Sequence, residues 1–229
     1  MTVGIIGAMD EEINVLREHI VDKQEITVAN IKFIIGKLAN KHIVLLKSGI
    51  GKVNASMATT IMHERFSPTH VINTGSAGGY AEKLQVGDVV ISSEVIHHDV
   101  DVTAFEYQFG QVPGLPTTFQ ANEALVFKAE QAVRKTNIAY EIGLIGSGDV
   151  FVGNEVQSKP ILKRFPQLIA VEMEAAAIGQ VCYQYNVPFV IIRALSDIAG
   201  KQSSISFDKF LEKASKNAAS IIINMLNEI

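Results

Sequence analysis

Six segments of the sequence place small and acidic residues directly after apolar runs. They are GAMDEE (7–12), SGIGKVN (48–54), TGSAGG (74–79), SGDVFVGN (147–154), VEMEA (171–175) and RALSDIAG (193–200). Carboxylates in such segments can give or take protons, and glycine-rich turns can hold a hydroxyl or an anion through backbone N–H groups. Their number indicates a binding site more strongly than any one of them does alone.

Two glutamates flank Met173 where an apolar strand is expected to end. We expect the side chains of Glu172 and Glu174 to point to opposite sides, so that one faces a pocket and the other anchors neighbouring structure. A carboxylate in a pocket accepts two hydroxyls well, which suits the vicinal hydroxyls of a ribose. The alternative is an acid that stabilises a helix N-terminus.

Two further acids stand in similar positions. Asp197 follows a run that includes Arg193, and a buried arginine needs a carboxylate nearby. Ser196 or Asp197 could instead cap a short helix. Glu12 lies one turn into a predicted helix, where Asp10 and the other acids of that turn also suit a helix start.

Three further motifs indicate a functional site only weakly. GIGK (49–52) lacks the glycine-to-lysine spacing of a phosphate loop. His97, His98, Asp99 and Asp101 could hold a metal, but adjacent strand residues face opposite ways and no further ligand cluster is evident. Cys182 fits the apolar pattern of a helix and is expected to be a packing residue. The sequence therefore predicts no metal and no cofactor.

The elements that must position these side chains alternate along the chain. Apolar, β-branched runs predict strands at 2–6, 42–46, 70–74, 88–96, 142–146, 169–173 and 189–195. Amphipathic or alanine-rich stretches predict helices at 10–20, 51–65, 122–136, 174–185 and 207–227. Hairpin turns are expected at Ala29-Asn30 and Ala39-Asn40. The aromatic, proline-containing stretch 99–120 is typical of a lid or an interface arm.

This alternation predicts an α/β fold with a central, mostly parallel mixed sheet flanked by helices. With 229 residues and 48% hydrophobic content, we expect a single domain over 1–229. A net charge of −4 does not favour a nucleic-acid partner. One cysteine, no basic leader and no apolar run of roughly 20 residues predict a cytoplasmic protein without a membrane partner.

Taken together, the motifs resemble the nucleoside phosphorylase/hydrolase superfamily, and within it the family of bacterial 5′-methylthioadenosine/S-adenosylhomocysteine nucleosidases. The resemblance runs almost end to end, in the same order and spacing. It is carried by IGAMDEE, SGIGKVNA, NTGSAGG, GDVVIS, HHDVDVTAFEYQFGQVPG, SGDVFV, VEMEAAAI and RALSDIAG. It implies hydrolysis of the N-glycosidic bond of methylthioadenosine, adenosylhomocysteine and 5′-deoxyadenosine, in methionine salvage, by a homodimer.

The resemblance also implies roles for individual residues. Glu12 would activate water and Asp197 would protonate N7 of adenine. The other residues implied are Ser76 and Arg193, which place the water; Gly78 in the substrate pocket; Met173 and Glu174 at the ribose; Phe151 and Val152 at the base; Ser196 beside Asp197; Met9, Ile50 and Phe207 around the sugar and 5′-thioether; and Val102 and Phe105, lent by the partner subunit.

The chemistry of glycosidic cleavage is consistent with these roles. Adenine leaves poorly as an anion, so an acid at N7 helps as the ribosyl group gains oxocarbenium character, and a carboxylate can deprotonate water on the other face. Burial would favour the raised pKa that Asp197 needs to carry a proton near neutrality. A protonated Asp also has an oxygen that accepts from the 6-amino group, whereas an Asn would better suit a 6-oxopurine.

Three alternatives stay open at this point. A phosphorylase would need a cation for phosphate, and related bacterial phosphorylases carry an arginine where Asn73 stands here. A non-catalytic nucleoside-binding module is expected to lose Glu12 or Asp197, and both are present. The protein could also hydrolyse another 5′-substituted nucleoside, such as a futalosine-type substrate. Only measurements of substrate specificity distinguish this alternative from hydrolysis of methylthioadenosine.

Overall fold

Strands and helices alternate through most of the computed structural model, which describes residues 1–80, 83–200 and 203–228, with the backbone alone at 203–206. The strands are β1 (Thr2–Gly7), β2 (Val21–Val28), β3 (Ile31–Leu38), β4 (Lys41–Lys47), β5 (His70–Gly79), β6 (Val89–His97), β7 (Phe119–Gln120), β8 (Tyr140–Ser147), β9 (Leu168–Glu172) and β10 (Phe189–Ile198). The helices are α1 (Asp10–His19), α2 (Lys52–Phe66), α3 (Glu123–Arg134), α4 (Glu155–Arg164), α5 (Ala175–Tyr185) and α6 (Ser203–Leu226).

The strands form one mixed sheet in the order β10-β6-β8-β9-β5-β1-β4-β3-β2, with β7 paired to β6. Because β10 also pairs with β5, the strands β5, β9, β8, β6 and β10 close into a ring. Parallel pairings join β1 to β4 and β5, β5 to β10, and β8 to β6 and β9. The other pairings in the described part are antiparallel. The mixed α/β sheet is confirmed, with a larger antiparallel share than the sequence indicated.

Each face of the sheet is covered by its own set of helices. Ile5 and Ile6 are neighbours on β1 and point to opposite faces, as strand geometry requires. Ile5 belongs to the cluster that includes Ile222 of α6, together with residues of α1 and α3. Ile6 belongs to the cluster that includes Ile178 of α5, together with residues of α2. Burial on both faces explains why the strands have continuous apolar runs.

Two tight turns connect β2, β3 and β4, at the positions expected from the sequence. Ala29 and Asn30 have φ values of 50° and 62°, and Ala39 and Asn40 have φ values of 49° and 61°. Positive φ at both central residues is typical of the type I′ turn, whose twist matches that of the flanking strands. The predicted hairpin turns are confirmed.

The sequence missed helix α4 and placed the start of α6 too late. Pro160 lies inside α4, and a proline in a helix interior usually indicates a break. A signal was present, because Asn154 caps α4 by accepting a hydrogen bond from Gln157 N at 3.1 Å. Helix α6 begins at Ser203 rather than at 207. No helix in the described ranges is long and apolar enough to cross a membrane.

Candidate active site

A pocket of about 360 Å³ lies where the carboxyl ends of β1, β5, β9 and β10 meet. Its lining residues are Ala8, Met9, Glu12, Ile50, Ser76, Ala77, Gly78, Val150, Phe151, Val152, Val171, Glu172, Met173, Glu174, Arg193, Ser196, Asp197, Phe207 and Asp208. The structure thus brings together every residue that the sequence assigned to this chain's own site. Strand ends of this kind are where α/β sheets commonly bind ligands.

The carboxylate of Glu12 is held at one end of the pocket by four hydrogen bonds. Its Oε2 accepts from Ala8 N at 2.7 Å and Met9 N at 3.2 Å. Its Oε1 accepts from Ser76 N at 2.9 Å and from Ser76 Oγ at 3.1 Å. The backbone donors lie in the turn that follows β1 and within the C-terminal half of β5. They fix the carboxylate in place, and only the Ser76 hydroxyl can rotate away to admit another donor.

Gly75 allows this arrangement because a side chain there would occupy the same space. A Cβ at Gly75 would lie 2.3 Å from Arg193 Nη1 and 2.5 Å from Glu12 Oε1, both in fully buried groups. We therefore expect Gly75→Ala to lower the free energy of unfolding by roughly 1–3 kcal/mol, as overpacking of a buried site does. Urea denaturation measures this change.

Gly114→Ala is the matched control for Gly75→Ala. Gly114 also has a positive φ, of 77°, but nothing lies within 4 Å of a Cβ built there. This control carries the backbone strain without the collision, so its loss should be the smaller of the two. Equal losses in the two variants would contradict the steric explanation.

Arg193 of β10 is fully buried and joins three carboxylates. Its Nη2 donates to Glu172 Oε2 and, at 3.1 Å, to Glu174 Oε2. Its Nη1 lies 3.8 Å from Glu12 Oε1 and donates to the Ser76 carbonyl at 3.3 Å. The sequence expectation that a carboxylate would approach Arg193 is confirmed. One guanidinium nevertheless cannot neutralise three carboxylates.

The expectation that Glu172 and Glu174 point to opposite sides was wrong. Both line the pocket and both contact Arg193 Nη2. Residues two apart on a strand would already share a face, and here β9 ends at Glu172 while Glu174 is the N-cap of α5. Glu172 also anchors helix α5, since it accepts from the N–H groups of Glu174 and Ala175 and from the Ser147 hydroxyl. Glu172 therefore both lines the cavity and anchors the start of α5.

The pKa of Glu174 is shifted mainly by burial, and the neighbouring charges modify the shift. Burial raises its pKa from an ordinary 4.5 to about 8; Arg193 opposes this rise, and the nearby Glu172 and Glu12 add to it. Its Oε1 accepts from Gly51 N at 2.9 Å. Near neutrality this carboxyl can therefore donate as well as accept a hydrogen bond, which suits a pair of hydroxyl groups.

Asp197 reaches the pocket because β10 is irregular at its end. The pairing of β10 with β5 shifts register between Leu195 and Asp197, and such a bulge redirects side chains. Ser196 and Asp197, although adjacent, both line the pocket, and Ser196 Oγ donates to Asp197 Oδ1 at 2.8 Å. A Cβ at Gly78 would lie 3.1 Å from Asp197 Oδ2, so the glycine gives this carboxyl room.

Aromatic and apolar side chains form the remaining walls. The rings of Phe151 and Phe207 lie 5.8 Å apart, nearly perpendicular to one another. Phe151 is 42% exposed and Ile50 is 50% exposed, so this side of the pocket is open, whereas Val152 is buried. Open apolar surface at a pocket mouth is suited to covering by a ligand or by another chain.

Two predicted residues, Val102 and Phe105, are not part of this chain's pocket. They lie in the segment 99–118, which contains a single short 3-10 turn, Thr103–Phe105, and Phe105 is 75% exposed. Their assignment to a partner subunit stays a prediction.

His97 and His98, which the sequence offered as possible metal ligands, make other contacts. His97 Nε2 lies 2.9 Å from Gln180 Oε1, and the ring of His98 packs against Gly148. Within the ranges that the structure describes, no group of three His, Cys, Asp or Glu residues could hold a metal ion. Cys182 is fully buried in α5, as a packing residue would be.

Sequence reasoning missed several residues that complete the site. Gly51 donates to Glu174, Gly75 makes room for Glu12 and Arg193, and Asp208 lines the pocket. Gly51 stands in a motif considered as a phosphate loop and Gly75 in a motif expected to form a turn. Their role as close-packed backbone depends on contacts between distant segments. Asp208 gave no signal, since it lies on an amphipathic helix among other charged residues.

Comparisons with known proteins agree with this geometry. A model of the phosphorylase superfamily matches residues 2–227. A 5′-methylthioadenosine/S-adenosylhomocysteine nucleosidase of Oceanobacillus iheyensis is 59% identical over 229 residues, which cover 100% of both chains.

Solved structures of nucleoside hydrolases also resemble this chain over its full length. The nucleosidase of that name from Neisseria meningitidis, in complex with methylthio-immucillin-A, has a TM-score of 0.97 and 48% identity, covering 100% of this chain and 99% of that one. The futalosine hydrolase of Helicobacter pylori has a TM-score of 0.94 and 33% identity, covering 100% and 98%. This chain belongs to the phosphorylase superfamily and, within it, to the family of 5′-methylthioadenosine/S-adenosylhomocysteine nucleosidases.

Proposed function

We propose that this protein hydrolyses the N-glycosidic bond of 5′-methylthioadenosine and S-adenosylhomocysteine, and of 5′-deoxyadenosine, releasing adenine. The observation that carries the proposal is one pocket that holds both Glu12 and Asp197, each buried and oriented by hydrogen bonds. The family relationship supports the same reaction. We also propose a place in methionine salvage, since the sugar product of methylthioadenosine keeps its methylthio group, and a cytoplasmic location.

The charges of the pocket favour water over phosphate as the nucleophile. Among the described lining residues, Glu12, Glu172, Glu174, Asp197 and Asp208 are acidic, and Arg193 is the one basic residue. Arg193 is already engaged by carboxylates. A phosphate dianion would meet several negative charges and no free cation, whereas water carries no charge to repel. Asn73 is buried, and its Nδ2 donates to the Ile6 carbonyl at 2.9 Å.

In the proposed reaction, the C1′–N9 bond breaks and its electron pair passes to the adenine ring. Asp197, supported by Ser196, gives its proton to N7, so that adenine leaves as a neutral base. The water oxygen bonds to C1′ while Glu12 takes one of its protons, completing the free 5′-thioribose. The water would take the place of the Ser76 hydroxyl on Glu12. General acid and general base help are each typically worth about 10²–10⁴-fold.

The other pocket residues would position the substrate. Glu174, beside Met173, would hold the ribose hydroxyls, and Arg193 and Ser76 would place the water. Phe151 would stack on adenine while the Val152 backbone bonds its edge. The remaining assignments are Gly78 beside the base and Met9, Ile50 and Phe207 around the sugar and 5′-thioether.

A homodimer would complete the open side of this pocket. The exposed apolar residues Ile50, Val53 and Met57 lie along one side of the start of α2, next to the pocket mouth. Val102 and Phe105 of a second copy would cover this surface and close the 5′ end of the site. Analytical ultracentrifugation of the purified protein tests the dimer.

A nucleoside panel with and without phosphate tests the reaction. We expect free adenine from methylthioadenosine at the same rate in both conditions, together with methylthioribose. Mass spectrometry identifies the sugar product. A sugar 1-phosphate, or release that depends on phosphate, would identify a phosphorylase and contradict the proposal.

Two other outcomes of the same panel are informative. Binding of adenine nucleosides without any cleavage would identify a binding module. Cleavage of a futalosine-type substrate in preference to methylthioadenosine would mean that the substrate specificity resembles that of the 33% identical futalosine hydrolase.

A further inference from the structure

Three chain segments meet at a charged cluster beside the pocket, formed by Lys52, Asp99 and Asp149. Lys52 Nζ donates to Asp99 Oδ1 at 2.5 Å, and Asp149 N donates to Asp99 Oδ2 at 3.0 Å. Lys52 N in turn donates to Asp149 Oδ1 at 2.8 Å. None of the three side chains lines the pocket. Each segment is therefore bonded to both of the others.

The cluster supplies the cap that helix α2 lacks in its own sequence. The N-cap residue of α2 is Gly51, which has no side chain to satisfy the free N–H groups of the first turn. Asp149 does this from a distant segment, through Lys52 N, and places an acid at the helix N-terminus. A side chain at position 51 would be strained, because Gly51 has φ of 97° and a Cβ would lie 3.1 Å from Asp149 Oδ1.

The Lys52–Asp99 pair within the cluster is better shielded than an ordinary surface ion pair, although Asp149 is exposed. The side chains of Lys52 and Asp99 are 17% and 26% exposed, whereas those of the surface pair Lys37 and Asp22 are 44% and 70% exposed. Burial alone would raise the pKa of Asp99, but its hydrogen bonds to Lys52 and Asp149 outweigh burial and keep the pKa below the ordinary value. Asp99 is thus held as a carboxylate that accepts at both oxygens.

The chain neighbours of the cluster either bind a pocket residue or line the pocket themselves. Gly51 N, next to Lys52, donates to Glu174 Oε1 at 2.9 Å. Val150 and Phe151, which follow Asp149, line the pocket. The cluster therefore connects the segment that holds the proposed ribose acceptor to the segment that forms the proposed adenine wall.

We propose that Lys52, Asp99 and Asp149 act together as positioning residues, which set the spacing between the Gly51 amide on the ribose side and Phe151 on the base side. The proposal rests on the proposed function for what the pocket binds. A displacement of the order of 1 Å in such positioning contacts is costly. The cluster acts through Gly51 and Phe151 and does not itself touch the substrate.

The hydrogen-bond pattern predicts which conservative changes are tolerated. Asp149 uses one oxygen, which Asn retains, so Asp149→Asn should behave like the unaltered protein while Asp149→Ala should not. Asp99 accepts at both oxygens, so in Asp99→Asn the amide NH₂ must face either the Lys52 ammonium or Asp149 N–H. Asp99→Asn should therefore be as impaired as Asp149→Ala. If only the loss of a negative charge mattered, Asp149→Asn and Asp99→Asn would be impaired to the same extent.

The test measures steady-state kinetics with methylthioadenosine, adenine affinity by calorimetry, and amide hydrogen exchange. For Asp149→Ala and Asp99→Asn we expect KM and the adenine Kd to rise about 10-fold, with kcat within about threefold, because ground-state positioning is lost. Exchange at the Gly51 and Lys52 amides should accelerate in both. Lys37→Met, which breaks the exposed pair with Asp22, is the matched control and should change none of these quantities.

Two results would overturn the positioning role. One is unchanged KM and adenine Kd in Asp149→Ala, even with a lowered Tm, which would leave the cluster a purely structural role. The other is an Asp149→Asn variant as impaired as Asp149→Ala. If the unaltered protein releases no adenine, the proposed function fails instead, and adenine affinity and amide exchange still decide whether the cluster positions the pocket.

Discussion

Replacing Asp197 by Asn should lower kcat for adenine release from methylthioadenosine by about 10²–10⁴-fold, the usual contribution of a general acid. Asn has nearly the same size, and its carbonyl oxygen can still accept the hydrogen bond from Ser196 Oγ. It cannot give up a proton to N7, so the base would have to leave as an anion. The measurement is single-turnover release of adenine, which isolates the bond-breaking step from product release.

Two comparisons separate this chemical loss from damage to the pocket. Asp22→Asn makes the same change at an exposed residue of β2 and should leave the rate unaltered. The adenine Kd of Asp197→Asn should stay within about tenfold of the unaltered protein, because one hydrogen bond at most is weakened. A rate within about threefold of normal would remove Asp197 from the acid role.

The sequence indicated which residues would lie together because they stand at or near the ends of predicted strands. The parallel neighbours β1, β5 and β10 bring their carboxyl ends to one edge of the sheet. The carboxyl end of β9 meets that of β5 in a short antiparallel pairing instead, which the sequence did not indicate. The resemblance then supplied roles that position alone did not decide. From the residues alone, Asp197 could also have capped a short helix. The structure instead shows that it lines the pocket.

What the sequence could not show depends on contacts between distant segments. The bulge that turns both Ser196 and Asp197 into the pocket arises from pairing with β5, over 100 residues away. The shared orientation of Glu172 and Glu174 depends on the end of β9 and the start of α5, where both carboxylates reach Arg193. The close approach of Gly75 to Glu12 and Arg193, and the capping of α2 by Asp149, have no local sequence pattern.

The second large effect concerns Arg193, whose loss would leave buried carboxylates unpaired. Arg193→Met keeps much of the side-chain volume but removes the donors to Glu172, Glu174 and the Ser76 carbonyl. Breaking a buried ion pair from one side costs about 3–5 kcal/mol, because the remaining charge stays desolvated. We therefore expect the free energy of unfolding at pH 7 to fall by that amount, measured by urea denaturation.

The same variant should lose less stability in acid than in base. Arg193 opposes the rise in the pKa of Glu174, so without it that pKa should lie further above its already raised value of about 8. Between the ordinary value of 4.5 and the raised value, the folded state binds more protons than the unfolded state, so stability falls as pH rises. Because this fall ends near pH 8 in the unaltered protein but continues to higher pH in Arg193→Met, the difference in stability between the two should grow as the pH rises above about 8.

Arg193→Lys supplies the control for charge. The lysine restores one positive charge. Its ammonium group is compact, however, and cannot reproduce the guanidinium, whose two terminal nitrogens reach Glu12, Glu172 and Glu174. Its stability should lie between those of Arg193→Met and the unaltered protein. A loss below about 1 kcal/mol in Arg193→Met, or a loss independent of pH, would mean that the three carboxylates are neutralised in some other way. Arg193 would then be a substrate-positioning group without a structural role.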